Sequence, residues 1–447
     1  MLDLVLAFQT VLWLSICFAF ARSRVASLFH PLAYYLAFHG IVFVARPILV
    51  YTFHFERVFY YMWFYPTDDQ AIFALALSSI GLLAFTVCSL LGDMTPPDWT
   101  RPFEPGFTRP EWLAFFLLAI STAPIGLYAA YLSAGTLVNG DNLVQFNLDP
   151  VTGHTLLANT SGYLLNMQLA FLPLGLLLIW GARFRPWSFI PYIAFLGFHM
   201  YLGWARWTII LSLGMLAMVY LTWKGKRVIS LSLLAALLPL YLVFHQLGQD
   251  RDYFKGLFYE QPVEDTSTNT DQFWTNLLDG QEFANFDYLT YVVDVVPEQS
   301  GTYSYFTQYL EIFTAPIPRA LWAEKPDGPP INLVNLNSYG NFVGLTTSLV
   351  GDGWISGGWI GVVLTLGLAG FILARIHHSY WRGKATTYKI FLYCTLLPLS
   401  LQWFRDGGIS IVKFVTFTTG WIVLWHGIVL LLSSEEVLRR TGRSPSR

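Results

Sequence analysis

Four basic side chains stand among apolar neighbours: Arg46 in VFVARPILVY, Arg206 in YLGWARWTII, Arg405 in LQWFRDGGIS and Lys413 in ISIVKFVTF. A charge in such surroundings is costly and marks a functional position by default. Arginine adds geometry, because its planar fork of donors grips a phosphate through two parallel hydrogen bonds. Together with Arg251 in GQDRDYFKG, Arg319 in PIPRALW and Lys325 just beyond it, the set could bind an anionic headgroup. Arg206, Arg319 and Arg405 are the primary candidates, and Arg46, Arg251 and Lys325 the secondary ones. The competing reading is that each pairs with a nearby acid, as Arg251 could with Asp250 or Asp252, or snorkels to lipid phosphate. Arg206 has no acid within ten residues of sequence.

One carboxylate complements these cations. Asp352, in SLVGDGWISGGWIG, stands between two glycines at the mouth of an apolar run. Partial desolvation there would make it a better proton acceptor near neutral pH. Aspartate is equally suited to capping a helix N-terminus, and the two roles are compatible. Glu311 is the reserve base, and His245 is a weaker one. Gly353, Gly357 and Gly361 recur every four residues, a pattern that lets a neighbouring backbone approach closely. There is no DxD pair suited to a divalent metal and nucleotide sugar, and no HExxH, GxxxxGK[ST] or GxSxG. The expected chemistry therefore uses neither metal nor cofactor. Cys17, Cys88 and Cys394 lie in apolar runs and offer no disulfide framework.

The elements that must position these residues are set by composition. Of 447 residues 55% are hydrophobic, 17% aromatic and 12% charged, and the mean hydropathy is +0.49. Soluble domains carry about 25% charged residues, so a water-soluble enzyme is excluded. The net charge of −2 offers no basic excess for nucleic acid. Apolar runs long enough to span a bilayer lie near 2–21, 30–52, 71–92, 111–133, 162–180, 187–204, 207–223, 228–245, 354–374, 386–403 and 409–432. The reading is an all-α, polytopic membrane protein of about eleven spans. If the N-terminus is outside, the inner segments hold 17 of the 26 basic residues, which the positive-inside rule favours. Three regions follow: a bundle of about eight helices over 1–245, a large outer loop over 246–353, and three helices with an inner tail over 354–447. Within the loop, TYSYFTQYLEIFTAP is expected to lie along the interface, and the acidic stretch 260–282 to be solvated. No internal repeat is visible, which weakens an inverted-repeat transporter reading.

The segment APIPRALWAEKP ahead of LVGDGWISGGWIG, the late FRDGG and the Arg-led GWARWTIILSLGMLAMVYL resemble the Wzy-type O-antigen or exopolysaccharide repeat-unit polymerases. The resemblance covers about 300–420 in motif and the rest in architecture; that family more often has Glu where this chain has Asp352. It implies a GT-C-like glycosyltransferase at the periplasmic face of the bacterial inner membrane. Such an enzyme moves a growing glycan from its polyprenyl-diphosphate carrier to a sugar hydroxyl of the incoming lipid-linked repeat unit. The arginines would then hold the diphosphate leaving group, and Asp352 would take the acceptor proton. Implied partners are lipid-linked donor and acceptor, the bilayer, a chain-length regulator and a flippase. The alternatives are an O-antigen ligase, a non-enzymatic lipid-linked glycan flippase or transporter, and a structural scaffold.

Overall fold

The computed structural model describes residues 1–96, 103–139, 146–148, 155–157, 164, 166–202, 206–228, 279–280, 284–314, 317, 322, 333–340, 345–382 and 386–441. Apolar composition makes nearly all of this helical, since backbone polar groups in lipid must be satisfied within the segment. The helices are α1 (Leu2–Arg22), α2 (Pro31–Phe53), α3 (Arg57–Met62), α4 (Asp68–Gly92), α5 (Arg109–Asn139), α6 (Met167–Gly181) and α7 (Ile190–Leu202). They continue with α8 (Arg206–Lys224), α9 (Asn285–Asp294), α10 (Ser348–Trp381), α11 (Thr387–Asp406), α12 (Gly408–Phe417) and α13 (Thr419–Thr441). A small antiparallel hairpin, β1 (Phe146–Leu148) on β2 (Thr155–Leu157), pairs Phe146 with Leu157.

Among the described residues, five helices are long and apolar enough to cross a membrane: α1, α2, α4, the 109–132 part of α5, and α10. The protein is therefore membrane-embedded. Of the other runs that read as single spans, 187–204 holds a helix described over Ile190–Leu202, 409–432 is divided between α12 and α13 at Thr418, and 229–245 lies outside the described residues.

Each irregularity in the long helices has a local cause. In α2, Pro47 has no N–H, so the carbonyl of Phe43 loses its helical partner. A π-helical turn spans Gly40–Ala45, and Gln9 of α1 donates its Nε2 to that Phe43 oxygen at 2.7 Å and to Ser78 Oγ of α4 at 2.9 Å. One buried amide thus ties three helices. In α10, Gly358 at φ +61° breaks the helix into a short arm, 348–356, and a long arm, 359–381. The short arm folds back: a Cβ on Gly361 would collide with the Gly353 carbonyl oxygen, and one on Gly353 would sit 2.8 Å from Val362 Cα. The close backbone approach expected of the glycine stripe occurs at Gly353 and Gly361, and the backbone that approaches is the chain's own. The 295–304 segment clasps the short arm through Trp354 Nε1 to Val296 O and Ser304 N to Ile355 O, both 2.8 Å.

Two apolar clusters fill the interior. One joins α2, α4, α9 and α10 through Tyr35, Leu75, Phe85, Val292, Val362 and Leu366; the other joins α6, α8, α11 and α13 through Trp180, Met215, Phe391 and Trp425. In lipid such packing acts through dispersion and close approach rather than water release.

A polar knot closes one end. Asp93, just past α4, sits with its oxygens 2.8 Å from His377 Nδ1 and 3.0 Å from His378 Nδ1 of α10, and it accepts from Thr95 N at 2.7 Å. Burial alone would raise the Asp93 carboxyl, but these donors overcome it and hold it below the usual carboxylate range. His30, fully buried, caps α2 by accepting from Leu32 N at 3.2 Å, and its ring lies 5.0 Å from that of His377. Burial, then repulsion from His377, pushes His30 down to about 3. A base depressed on folding contributes stability that is lost as pH falls below its ordinary 6.5 towards 3, at a slope up to about 1.4 kcal/mol per pH unit. Asp93, held low, keeps its contribution until more acidic pH. The unfolding midpoint of the purified protein should therefore drop from pH 7 to pH 5. His30→Asn, which keeps a capping oxygen but cannot titrate there, should flatten that decline; an equally steep decline would clear His30.

Candidate functional site

Asp352 lies in the short arm of α10, which begins after Thr347 with no side-chain cap. Its carboxylate does cap a helix, but a different one. Oδ2 accepts the N–H of Gly408, the first residue of α12, at 2.9 Å. The same oxygen accepts the Tyr309 hydroxyl at 2.5 Å, and Oδ1 accepts Gln308 Nε2 at 3.2 Å. A carboxylate at a helix N-terminus faces the positive end of the helix dipole. The FRDGG motif makes the approach possible: Gly407 turns the chain at φ +83°, and any Cβ on Gly408 would strike the Tyr309 ring.

The donors are themselves held. Ser304 Oγ donates to Gln308 Oε1 at 2.5 Å, Gln308 Nε2 donates to Ser356 Oγ at 2.6 Å, and Ser356 Oγ donates to the Asp352 carbonyl at 2.7 Å. Asp352 is 7% exposed. Tyr309 is half-buried, with its hydroxyl directed at the carboxylate. Burial, reinforced by the Asp352 charge, pushes the phenol far above its ordinary range, so it stays an O–H donor.

Of the residues singled out from the sequence, the structure gathers several here. Arg405 is half-buried at the end of α11, with Nη1 3.2 Å from Asp406 Oδ1. Its carbonyl accepts Asn285 Nδ2 at 2.9 Å and Thr346 Oγ1 at 3.0 Å, which pins the turn into Gly407 and Gly408. Glu311 opens the turn Glu311–Thr314, which packs against α12 and is half-buried. Arg206 begins α8, which runs antiparallel to α11: Gly214 faces Pro398, while Thr222 Oγ1 meets Cys394 Sγ at 3.4 Å. That register carries Arg206 to the same end of the bundle as Arg405. Arg251, Arg319, Lys325 and His245 lie outside the described residues.

Arg46 requires a correction. It is 1% exposed, with Nε donating to Asp287 Oδ2 at 2.8 Å and Nη2 to Asp279 Oδ1 at 3.0 Å. Asp279 also takes the N–H of Arg57 at 3.1 Å, so α2, α3 and α9 meet at one ion cluster. The guanidinium is thus held by two carboxylates inside the fold and is not presented to a headgroup. Asp279 falls in the stretch expected to be solvated, yet it is 5% exposed. Burial raises the Asp287 carboxyl to about 6 against the pull of Arg46.

Sequence reasoning passed over Gln308 and Tyr309. They sit in TYSYFTQYLEIFTAP, where the aromatic periodicity suggested only an interfacial helix. The available signal was the adjacent polar pair in an otherwise aromatic run. Among the described residues, no group of three or more His, Cys, Asp or Glu side chains is placed to hold a metal. Comparison with known proteins finds no family profile, no curated protein and no solved structure that matches this chain.

The ion cluster makes a prediction that separates a structural from a binding role. Arg46→Met leaves two buried carboxylates without a cation, a change of the kind that costs about 3–5 kcal/mol. Inserted protein should fall sharply or lose thermal stability, and adding Asp287→Asn should recover part of it. Normal stability with weakened lipid-diphosphate binding would return Arg46 to the binding set.

Proposed function

We propose that this chain is a bacterial inner-membrane glycosyltransferase that polymerises polyprenyl-diphosphate-linked repeat units at the periplasmic face. On this reading it has about eleven spans in a GT-C-like arrangement, its N-terminus outside and its C-terminus inside. The observation that carries it is the Tyr309–Asp352 hydrogen bond, set against Gly408 at the start of α12, at the end of the bundle where Arg405 also stands.

The chemistry asks for few parts. The anomeric C–O bond to the carrier diphosphate breaks while an acceptor hydroxyl forms a new one. The leaving diphosphate takes the bonding pair, and fixed cations stabilise the charge that develops. Arg405 and Arg206 suit that role by position, and Arg319 by the resemblance. The acceptor proton passes to the Tyr309 oxygen as the Tyr309 proton moves to Asp352, so the buried carboxylate serves as base through the Tyr309 hydroxyl it accepts from. Glu311 lies close by as a second acid. Metal is not required by this scheme, and activity should survive excess chelator; loss restored by magnesium would overturn the arginine clamp.

A second reading has one observation in its favour. Broken helices such as α10 and the α12–α13 pair are a feature of secondary transporters, where half-helix ends face the substrate. A lipid-linked glycan flippase would share that feature.

Purified protein incubated with a synthetic lipid-diphosphate repeat unit alone separates these readings. A ladder of products is expected. Transfer only to added lipid A core would indicate a ligase, and no product with either acceptor would remove the enzymatic reading. Tyr309→Phe and Asp352→Asn should each lower turnover by about a hundredfold to ten-thousandfold at normal insertion levels. Asparagine keeps an oxygen to cap Gly408, so a normal ladder from Asp352→Asn would leave Asp352 only its capping role.

A further inference from the structure

Away from Asp352, α10 and α11 part around an apolar groove of about 370 Å³. Its basic rim is Arg375 and Lys389, and its sides include Phe371, Ile372 and Leu392. From Gly361, level with the fold-back, to Arg375 is about 21 Å along the helix at 1.5 Å per residue. The groove is therefore separate from the site described above and stands whether or not that site transfers sugars.

Three features define what the groove would accept. First, it opens sideways, since Phe371 and Ile372 are 44% and 40% exposed on the flank of a long apolar helix. Second, its floor presents carbon. Tyr380 and Tyr393 stack with centroids 4.7 Å apart, and their hydroxyls are engaged elsewhere, with Thr222 Oγ1 at 3.0 Å and with the Phe29 carbonyl respectively. Third, its two cations are not neutralised. Arg375 reaches only the Gly92 carbonyl at 3.5 Å, and Lys389 donates to the Arg382 carbonyl at 3.1 Å. Among the described residues neither faces a carboxylate at ion-pair distance.

An apolar channel open to hydrocarbon, ending in two uncompensated cations, complements an acyl chain joined to a phosphate. We propose that this groove seats one anionic glycerophospholipid of the adjacent leaflet, its chain along Phe371, Ile372 and Leu392 and its phosphate between Arg375 and Lys389. A zwitterionic lipid brings its own cation to the same rim and is disfavoured there. The surrounding end of the bundle is basic, with Arg22, Arg24, Arg183, Arg185 and Arg382 in the same set of predicted inner segments, which concentrates anionic lipid nearby.

The test is native mass spectrometry of the full chain with equal amounts of phosphatidylglycerol and phosphatidylcholine of identical chains. Wild type should retain phosphatidylglycerol about thirtyfold more, as expected of two basic contacts. The Arg375→Gln, Lys389→Gln double variant should fall to parity, whereas Arg382→Gln should keep the preference. Ile372→Trp, which fills the groove and spares both cations, should lose retained lipid. Equal retention by wild type, a preference surviving in the double variant, or unaltered retention by Ile372→Trp would overturn the proposal. So would displacement of phosphatidylglycerol by an equal amount of polyprenyl monophosphate, which would assign the groove to the carrier lipid.

Discussion

The buried carboxylate of Asp352 is the point on which one end of the molecule depends. It receives the N–H of Gly408 from α12, the Tyr309 hydroxyl and the Gln308 amide, and it sits in an arm of α10 that has folded back on itself. Three chain segments far apart in sequence are therefore fixed by one side chain. A charge so enclosed is tolerated only when donors surround it. The glycines on both sides of the contact exist to let those donors close in: Gly353 and Gly361 permit the fold-back, and Gly408 leaves room for Tyr309.

The same economy recurs elsewhere. Every buried charge described in detail is a junction between elements: Arg46 joins α2 to α9 and Asp279, and Asp93 joins the end of α4 to His377 and His378. Gln9 does without charge what these do with it, completing the Phe43 carbonyl that Pro47 leaves open. In lipid, where apolar packing discriminates weakly between partners, such polar contacts fix the register in which helices meet.

The helical, membrane-embedded character was legible from composition, because so few charges and such long apolar runs allow no other class. Local punctuation was legible in part. The glycine stripe in α10 and the FRDGG turn marked real breaks, but their partners were not readable, since a fold-back and a packed neighbour need the same small residues. Asp352 was identifiable as a capping residue, yet the helix it caps begins at Gly408, and nothing in local sequence points across that distance. Arg46 shows the same limit more sharply: an arginine in an apolar run signals that something must neutralise it, while Asp279 and Asp287 lie more than two hundred residues away. Tyr309 and Gln308 escaped notice because an amphipathic period describes a face and says nothing of which side chain turns inward.

In the proposed reaction Tyr309 and Asp352 move one proton as a unit. A double-mutant cycle on turnover, built from Tyr309→Phe, Asp352→Asn and the pair together, measures that directly. If the two act as a unit, the double variant loses no more turnover than Asp352→Asn alone. Losses that multiply as if the residues were independent would contradict the account.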